Sequence, residues 1–360
     1  MASAGVAPLP VFMLKMCAFA VVCAALVLSS VWQPAVATDL NPNCGGCVDG
    51  CNMVANASCS GIGCTVPSAY NSCWTAKEKV TIPSRKRYIL LEGAGSSVTD
   101  ISFDAHAHAG IDHIMRRRRR NVSDNSPTFR SATFTVLADN FVARHIAFKN
   151  AYNAAAAGER RRKAGHHQAV AALVGGDKNA FYGCAFHGFQ DTLCDYQNRH
   201  YFRRCIVTGA VDFIFGYGQS IYDRCTVVST MPPGKQPGWV TAHARDGAGS
   251  PGGLVFRGGE VVGLAAAGGG GRTFLGRAWN RFATVVFYRT RMGRVVVPQG
   301  WQAWNAGTDV SNVTFAEVGC VGPGSEMTGR VGWEKHLSKE EVKRFVDINF
   351  IDDGWLSKQP

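Results

Sequence analysis

Short segments in which apolar and polar residues alternate dominate the chain between residues 130 and 310. They are rich in Val, Ile, Phe and Tyr, and Gly or Asn-Asp turn signals separate them, which is typical of β-strands. No segment in this range has the period of a long amphipathic helix. The pattern therefore predicts an all-β protein built from short strands.

Several of these strands repeat one phrase. The strongest copies are Phe181-Tyr-Gly-Cys184-Ala-Phe, Phe202-Arg-Arg-Cys205-Ile-Val and Ile221-Tyr-Asp-Arg-Cys225-Thr-Val. A period of about 20 residues indicates a solenoid of stacked coils. Cys184, Cys205 and Cys225 would then form an internal ladder that packs as small apolar groups. A β-sandwich with evenly spaced strands is the alternative, but the recurrence of residue identity favours the solenoid.

An aspartate follows two of these cysteines at the same spacing. Asp191 and Asp212 each come seven residues after a cysteine, and they are 21 residues apart. If each period is one coil, equivalent positions on neighbouring coils are about 4.8 Å apart, so the two carboxylates would face each other. Such a pair does not readily ionise twice. One member then serves as an acid, and the other serves as a base or nucleophile.

The charge of the chain narrows the class of partner. The formal net charge is +12, and arginines form runs at 116–120 and 160–162. A basic chain attracts polyanions, although solvated loops are the alternative explanation of both runs. No RNA- or DNA-binding motif accompanies the runs, so an acidic polysaccharide fits better than nucleic acid.

The N-terminal segment predicts secretion. Lys15 precedes an apolar stretch, and Ala35-Val-Ala37 then supplies a small-residue cleavage pattern, so residues 1–37 are predicted to be a signal peptide. An uncleaved membrane anchor is the alternative, but the apolar stretch is short for a span. Glycosylation sequons, which agree with a secreted glycoprotein, occur at Asn56, Asn121 and Asn312.

Cysteine usage sets the next segment apart. Six cysteines crowd into residues 44–73, and in a secreted chain they predict disulfides of undetermined connectivity. The spacing Cys44-x2-Cys47-x3-Cys51 is also compatible with zinc. Residues 38–78 lack strand periodicity and are predicted to be irregular. A histidine-containing loop over 104–128 is predicted to be a polar loop, with a metal site as the alternative.

A capping box, Ser338-Lys-Glu-Glu341, predicts a short helix near the C-terminus. We expect this helix to run through about Phe345. A terminal helix is a natural cover for an open end of a β stack, and that is where we expect it.

Four blocks in the strand-rich region carry a family signature. They read Gln168-Ala-Val-Ala171, Gly188-Phe-Gln-Asp-Thr-Leu193, Asp212-Phe-Ile-Phe-Gly216 and Leu275-Gly-Arg-Ala-Trp279. Together they resemble the signature blocks of plant pectinesterases (pectin methylesterases), and the resemblance extends from about Lys79 to Trp355. It implies a right-handed parallel β-helix catalytic domain over 79–360 with long loops. The usual first coils of the family and its inhibitor-like pro-region are not recognisable.

The resemblance also implies the reaction, which is hydrolysis of the methyl esters of polygalacturonate. Asp212 matches the family nucleophile, and Asp191 matches the general acid/base. The chemistry agrees, because an ester carbonyl needs a nucleophile, a donor to the developing oxyanion and a proton for the departing methoxide. Asp212 would be held ionised by a neighbouring cation, whereas Asp191, beside another carboxylate, would keep its proton.

The remaining matched positions support that pair. Gln168 and Gln190 match the residues that stabilise the oxyanion, and the spacing lets Gln168 stack beneath the aspartates. Arg277 and Trp279 match the substrate-site pair, with Arg277 also holding the nucleophilic carboxylate. Trp279 offers a flat apolar face for a sugar ring.

The implied enzyme is a secreted, monomeric protein of the cell wall that needs no metal or cofactor. Its partners would be methyl-esterified pectin and a proteinaceous pectinesterase inhibitor, and not nucleic acid. Two other functions stay open. A catalytically weak pectin-binding homologue would use the basic surface alone, and a pectate lyase on a similar β-helix would need a calcium-binding carboxylate cluster, which the sequence does not contain.

Overall fold

The computed structural model describes residues 13–15, 74–107, 126–153, 166–232, 235–264 and 272–360. The first twelve strands in these ranges are β1 Met13–Lys15, β2 Trp74–Lys77, β3 Val80–Ile82, β4 Leu90–Glu92, β5 Thr99–Phe103, β6 Phe134–Val136, β7 Val142–Arg144, β8 Ala147–Asn150, β9 Ala172–Val174, β10 Asn179–Tyr182, β11 Ala185–His187 and β12 Leu193–Asp195. The next thirteen are β13 Arg199–Arg203, β14 Ile206–Gly209, β15 Ile214–Gly216, β16 Gln219–Asp223, β17 Thr226–Ser229, β18 Gly238–His243, β19 Gly253–Arg257, β20 Glu260–Gly263, β21 Thr273–Ala278, β22 Thr284–Tyr288, β23 Arg291–Met292, β24 Trp301–Ala303 and β25 Thr314–Val318. The helices are α1 Pro127–Arg130 and α2 Lys339–Val346, with 3-10 turns at Ile348–Phe350 and Leu356–Lys358.

Every third strand belongs to the same sheet. Sheet 1 has the order β1-β4-β7-β10-β13-β16-β19-β22-β25, sheet 2 runs from β2 to β23, and sheet 3 runs from β3 to β24. Neighbouring strands pair in parallel, for example β10 with β13 and β13 with β16. Each coil therefore contributes one strand to each sheet, which is a parallel β-helix. The solenoid prediction is confirmed, and parallel pairing throughout the described sheets excludes the antiparallel sandwich.

Stacked side chains fill the interior of the helix. The rings of Phe181, Phe202, Tyr222, Phe256 and Phe287 form a continuous ladder, with centroids 4.4 to 5.0 Å apart between neighbours. Because coils repeat at about this distance, one aromatic residue per coil packs against the next. The same repeat aligns the functional positions described below.

The predicted cysteine ladder is also present. Cys184, Cys205 and Cys225 are buried free thiols in the core. The Sγ atoms of Cys205 and Cys225 lie 3.3 and 3.4 Å from carbonyl oxygens of the preceding coil. Burial raises the pKa of Cys184 and Cys205 well above the ordinary thiol value, which agrees with a packing role rather than reactivity. The cysteines at 44–73 lie outside the described residues.

The C-terminal helix is confirmed, but its location differs from the prediction. Ser338 and Glu341 form the capping box, and α2 ends at Val346. Val342 and Phe345 of α2 pack with Val255 and Val286 against the outer face of sheet 1. The helix therefore covers a lateral face and not the open end, because the outward residues of sheet 1 are themselves apolar and need cover.

The β-helix begins before residue 79. Strand β2 starts at Trp74, inside the segment predicted to be irregular, and pairs with β5, while β3 pairs with β6. A first coil is therefore present on sheets 2 and 3, although its four- and three-residue strands are too short to give a periodic pattern. Within the described ranges, no helix has the length and apolarity needed to span a membrane.

Candidate active site

The two aspartates lie at equivalent positions on adjacent coils, as the spacing predicts. The backbone N–H of Asp191 donates to the carbonyl oxygen of Val211 (3.0 Å), the bond expected when Asp191 is aligned with Asp212. Both residues precede a strand of sheet 3 and have left-handed backbones, with φ of 61° and 47°. Asp adopts this conformation more readily than most residues, although it stores some strain.

Both carboxyls are buried, and their environments differ. Asp191 is 3% exposed and Asp212 is 2% exposed. Burial raises the pKa of Asp191 well above its ordinary value, and the charge of Asp212 adds to the shift. Oδ1 of Asp191 has no hydrogen-bond partner among the described residues. These conditions favour the protonated form of Asp191.

Arg277, on β21, holds Asp212 through two nitrogens on one edge of its guanidinium group. Nε donates to Oδ1 of Asp212 at 2.8 Å, and Nη2 donates to Oδ2 at 2.5 Å. Burial raises the pKa of Asp212, but the hydrogen bonds and charge of Arg277 oppose that shift. Asp212 is therefore the member of the pair that ionises first, and Asp191 retains the proton.

Two tryptophans hold the arginine itself. The guanidinium carbon of Arg277 lies 4.0 Å from the ring centroid of Trp239 and 4.1 Å from that of Trp304. The indole N–H of Trp239 donates to Oε1 of Gln302 at 2.7 Å, which fixes the first ring. Stacking on aromatic faces leaves the N–H edge of the guanidinium free for the carboxylate, so the ion pair with Asp212 is oriented before substrate arrives.

The glutamines align with each other rather than with the aspartates. The N–H of Ala169 donates to the carbonyl oxygen of Gln190 (3.1 Å), so Ala169 is the residue beneath Asp191. Gln168 then lies beneath Gln190, which bridges to Val211 on the following coil. The prediction that Gln168 stacks beneath the aspartates is wrong by one position. Both glutamines are nevertheless partly exposed. Their column lies one residue before the column that contains Asp191 and Asp212.

The model of the family described as Pectinesterase matches residues 70–354. The chain belongs to the pectinesterase family. The predicted family and the predicted enzyme class, a carboxylic ester hydrolase acting on pectin methyl esters, are thereby confirmed.

Relatives and solved structures support the family assignment. Probable pectinesterase 29 of Arabidopsis thaliana is 40% identical over 288 residues, covering 79% of this chain and 78% of the relative. Putative pectinesterase 10 of Arabidopsis thaliana is 39% identical over 287 residues, covering 79% and 76%. The pectin methylesterase from carrot has a TM-score of 0.66 and 29% identity, covering 80% of this chain and 84% of the carrot chain. A pectin methylesterase from Aspergillus niger shares the fold, with a TM-score of 0.64, 24% identity, and coverage of 80% and 86%.

Trp279 is placed differently from the expectation for this pectinesterase. Its indole is only 5% exposed, and it packs with Tyr217 and Trp304 at ring-centroid distances of 5.4 and 6.3 Å. Trp279 therefore supports the neighbouring aromatic rings more than it offers an open face. Trp304 is more exposed than Trp279, and its ring lies against the guanidinium group of Arg277.

Sequence reasoning did not single out Trp239 and Gln302 as site residues. Trp239 is aligned with Val211 through a backbone bond to the carbonyl oxygen of Ala210 (3.0 Å), so it belongs to the same column as Gln190. The loop between β17 and β18 lengthens that coil and hides the repeat. The column of Gln190 and Val211, continued to the next coil with allowance for the longer loop, would have indicated Trp239 as a site residue.

The histidine-containing loop over 104–128 was predicted to be polar, with a metal site as the alternative. Residues 108–125 of that loop lie outside the described part of the chain, and His106 stacks on Tyr152 with centroids 3.8 Å apart. Among the described residues, no group of three or more His, Cys, Asp or Glu side chains is arranged to hold a metal ion. The arginine runs at 116–120 and 160–162 also lie outside the described residues.

Proposed function

We propose that this pectinesterase removes methyl groups from esterified pectin by two-step acyl transfer between Asp212 and Asp191. The observation that supports this most strongly is the asymmetry of the pair. Both carboxyls are buried at equivalent positions on adjacent coils, but only Asp212 is held by an arginine. Unequal environments of this kind separate an ionised nucleophile from a protonated acid.

In the first step, an oxygen of Asp212 attacks the carbonyl carbon of the galacturonate methyl ester. A bond forms between that oxygen and the carbon, and the carbonyl oxygen takes the negative charge. We assign the side-chain amides of Gln168 and Gln190 to stabilise this oxyanion, since neutral donors do not compete for the charge of the nucleophile. The bond to methoxide then breaks, and Asp191 gives up its proton, so that methanol leaves.

In the second step, Asp191 is a carboxylate and accepts a proton from water. The hydroxide that forms attacks the carbonyl carbon of the acyl-enzyme, and the bond to Asp212 breaks. The products are the galacturonate carboxyl group and the Asp212 carboxylate, which Arg277 again holds. The proton on Asp191 is restored, and the cycle balances without a further reactant.

The test is methanol release from methyl-esterified pectin by the purified, secreted chain. We expect one methanol per ester hydrolysed, no cleavage of the glycosidic chain, and the same rate in the presence of a chelator. Unsaturated products that disappear with chelator would identify a lyase. Binding of pectin by folded protein without methanol release would identify a catalytically weak pectin-binding homologue.

The dependence of kcat/KM on pH should be bell-shaped. Activity needs Asp212 ionised and Asp191 protonated, and burial raises the pKa of both carboxyls. Both inflections are therefore expected above the ordinary aspartate pKa of about 3.9, with the alkaline one belonging to Asp191. A rate profile on methyl-esterified oligogalacturonate measures this. Activity that keeps rising from neutral pH to pH 10 would show that Asp191 is not the general acid.

We further propose that the chain is a monomeric glycoprotein secreted to the cell wall, with residues 1–37 as the signal peptide. The sequon residue Asn312 is exposed, which suits glycosylation. Cleavage after Ala37 would remove β1 and leave β4 as the first strand of sheet 1. A proteinaceous pectinesterase inhibitor is a further proposed partner. Mass spectrometry of the secreted protein would give the N-terminus and the glycan.

A further inference from the structure

A second cleft, of about 830 Å³, lies where sheet 1 turns into sheet 2. The tail that follows α2 forms one wall of it. Its cationic lining residues are Arg203, Arg224, Arg257 and Arg289. The cleft shares no lining residue with the candidate active site. The two sites lie on different sides of the β-helix. Within one coil, Arg204 beside the cleft and Asp212 in the candidate active site are separated by the whole of β14.

The register of the β-helix arranges these arginines in two neighbouring columns. Strand pairing aligns Arg203, Asp223 and Arg257 on three successive coils. Backbone hydrogen bonds align the adjacent column, which contains Arg204, Arg224, Gly258 and Arg289. Successive members of each column are about 4.8 Å apart. In the cleft, positive charge therefore recurs at every second coil, at Arg203 and Arg257 in one column and at Arg224 and Arg289 in the other.

The cleft keeps a surplus of positive charge. Four guanidinium groups face two carboxylates, those of Asp223 and Asp352. Asp223 is already paired, since Nε of Arg257 donates to it at 2.9 Å. Oδ1 of Asp352 accepts two backbone N–H groups of the tail. Arg224 and Arg289 are exposed, and neither forms an ion pair with another described residue.

Tyrosine rings lie beside the charges. Tyr182 and Tyr288 line the cleft, and the guanidinium carbon of Arg289 is 5.1 Å from the ring centroid of Tyr288. Burial raises the pKa of Tyr182 to about 12, and its neutral phenol donates to Oε1 of Gln359 at 2.5 Å, which fixes the ring at the edge of the cleft. Aromatic faces suit sugar rings, and exposed guanidinium groups suit carboxylates. A ligand that satisfies both is a carbohydrate with a carboxylate on each unit.

We propose that this arginine–tyrosine cleft is a second, non-catalytic binding site for de-esterified polygalacturonate. The identity of this ligand rests on the proposed function, because demethylation of pectin generates that polyanion. A linear chain with a regularly repeated carboxylate can meet Arg224 and Arg289, which lie two coils apart along the helix axis with Gly258 between them. Methyl-esterified pectin lacks those charges and binds this cleft weakly.

The second site changes how the enzyme acts on a polymer. A segment of product held in the cleft keeps the catalytic face near the remaining esters of the same chain, which raises their effective concentration. Short esterified oligosaccharides gain nothing from this, since they cannot occupy both sites. The site therefore affects polymer turnover and not the chemical step.

The test compares native protein with an Arg224→Gln/Arg289→Gln double variant. Calorimetric titration with de-esterified oligogalacturonate should show affinity for this site reduced about tenfold, from the loss of two exposed charge contacts. The kcat/KM for a short, fully methyl-esterified oligogalacturonate should stay within about twofold, since neither residue lies in the candidate active site. A fully methyl-esterified oligosaccharide should show no affinity difference between the two proteins.

A Lys77→Gln/Arg85→Gln double variant is the matched control, because it removes two exposed positive charges from the first coils. It should bind de-esterified oligogalacturonate as native protein does. Unchanged affinity in the Arg224/Arg289 variant, or an equal loss in the control, overturns the site. Absence of methanol release by native protein would instead overturn the proposed function, and the binding comparison would still report on the cleft.

Discussion

An Asp212→Asn variant is expected to lose at least about 10⁴-fold in turnover of methyl-esterified pectin. Asparagine keeps the size and shape of the side chain, and its carbonyl oxygen can still accept from Arg277. It carries no negative charge, so it cannot attack the ester carbon. Methanol release under saturating substrate measures the loss. Binding of esterified oligosaccharide by the same samples should be retained, because the aromatic cluster around Arg277 is unchanged.

Asp309→Asn is the control for that variant. Asp309 is an exposed aspartate whose carboxylate, among the residues that the structure describes, accepts only from neighbouring Ser311. Its substitution should leave turnover unchanged. Residual activity of Asp212→Asn within about tenfold of native would contradict the assignment of the nucleophile, since removal of an attacking group costs far more than that.

An Asp191→Asn variant is expected to lose about 10²- to 10⁴-fold in kcat, the usual contribution of a positioned acid or base. The amide cannot protonate the departing methoxide or accept a proton from water. The alkaline limb of the pH profile should disappear with it. Steady-state rates between pH 5 and 10 measure both effects, and a retained alkaline limb would show that another group supplies the proton.

The same variant should be more stable than native protein above acidic pH. The pKa of Asp191 is raised in the folded state, so unfolding near neutral pH releases a proton. The free energy of unfolding of native protein then falls as pH rises from about 4 and levels off above the folded pKa, whereas asparagine does not titrate. Urea unfolding at pH 4 and pH 8 measures the difference, which should grow with pH. A pH-independent difference would contradict the raised pKa.

The column of Asp191 and Asp212 was predictable because two coils of nearly equal length carry the same phrase. Stacking then follows from the period alone. The cysteine ladder was predictable for the same reason. The one-residue offset of Gln168 was not, because the coil that leads from Gln168 to Asp191 contains an additional residue, and only the backbone hydrogen bonds of Ala169 reveal the register.

The aromatic clamp around Arg277 depends on longer coils. Trp239 reaches the site across the loop between β17 and β18, and Trp304 comes from the coil after β21. Neither tryptophan is separated from Arg277 in sequence by a multiple of the coil period. The location of α2 was also beyond sequence reasoning, since the capping box determines where the helix begins but not which apolar face it covers. That choice depends on the outward residues of sheet 1.

The proposed reaction requires a covalent acyl-enzyme on Asp212. Rapid acid quenching of native protein during turnover of methyl-esterified oligogalacturonate, followed by mass spectrometry of its peptides, tests this most directly. The prediction is a galacturonyl group on the peptide that contains Asp212, with the mass of the substrate less one methanol. A burst of methanol equal to the enzyme concentration with the adduct on Asp191, or on neither aspartate, would contradict the account.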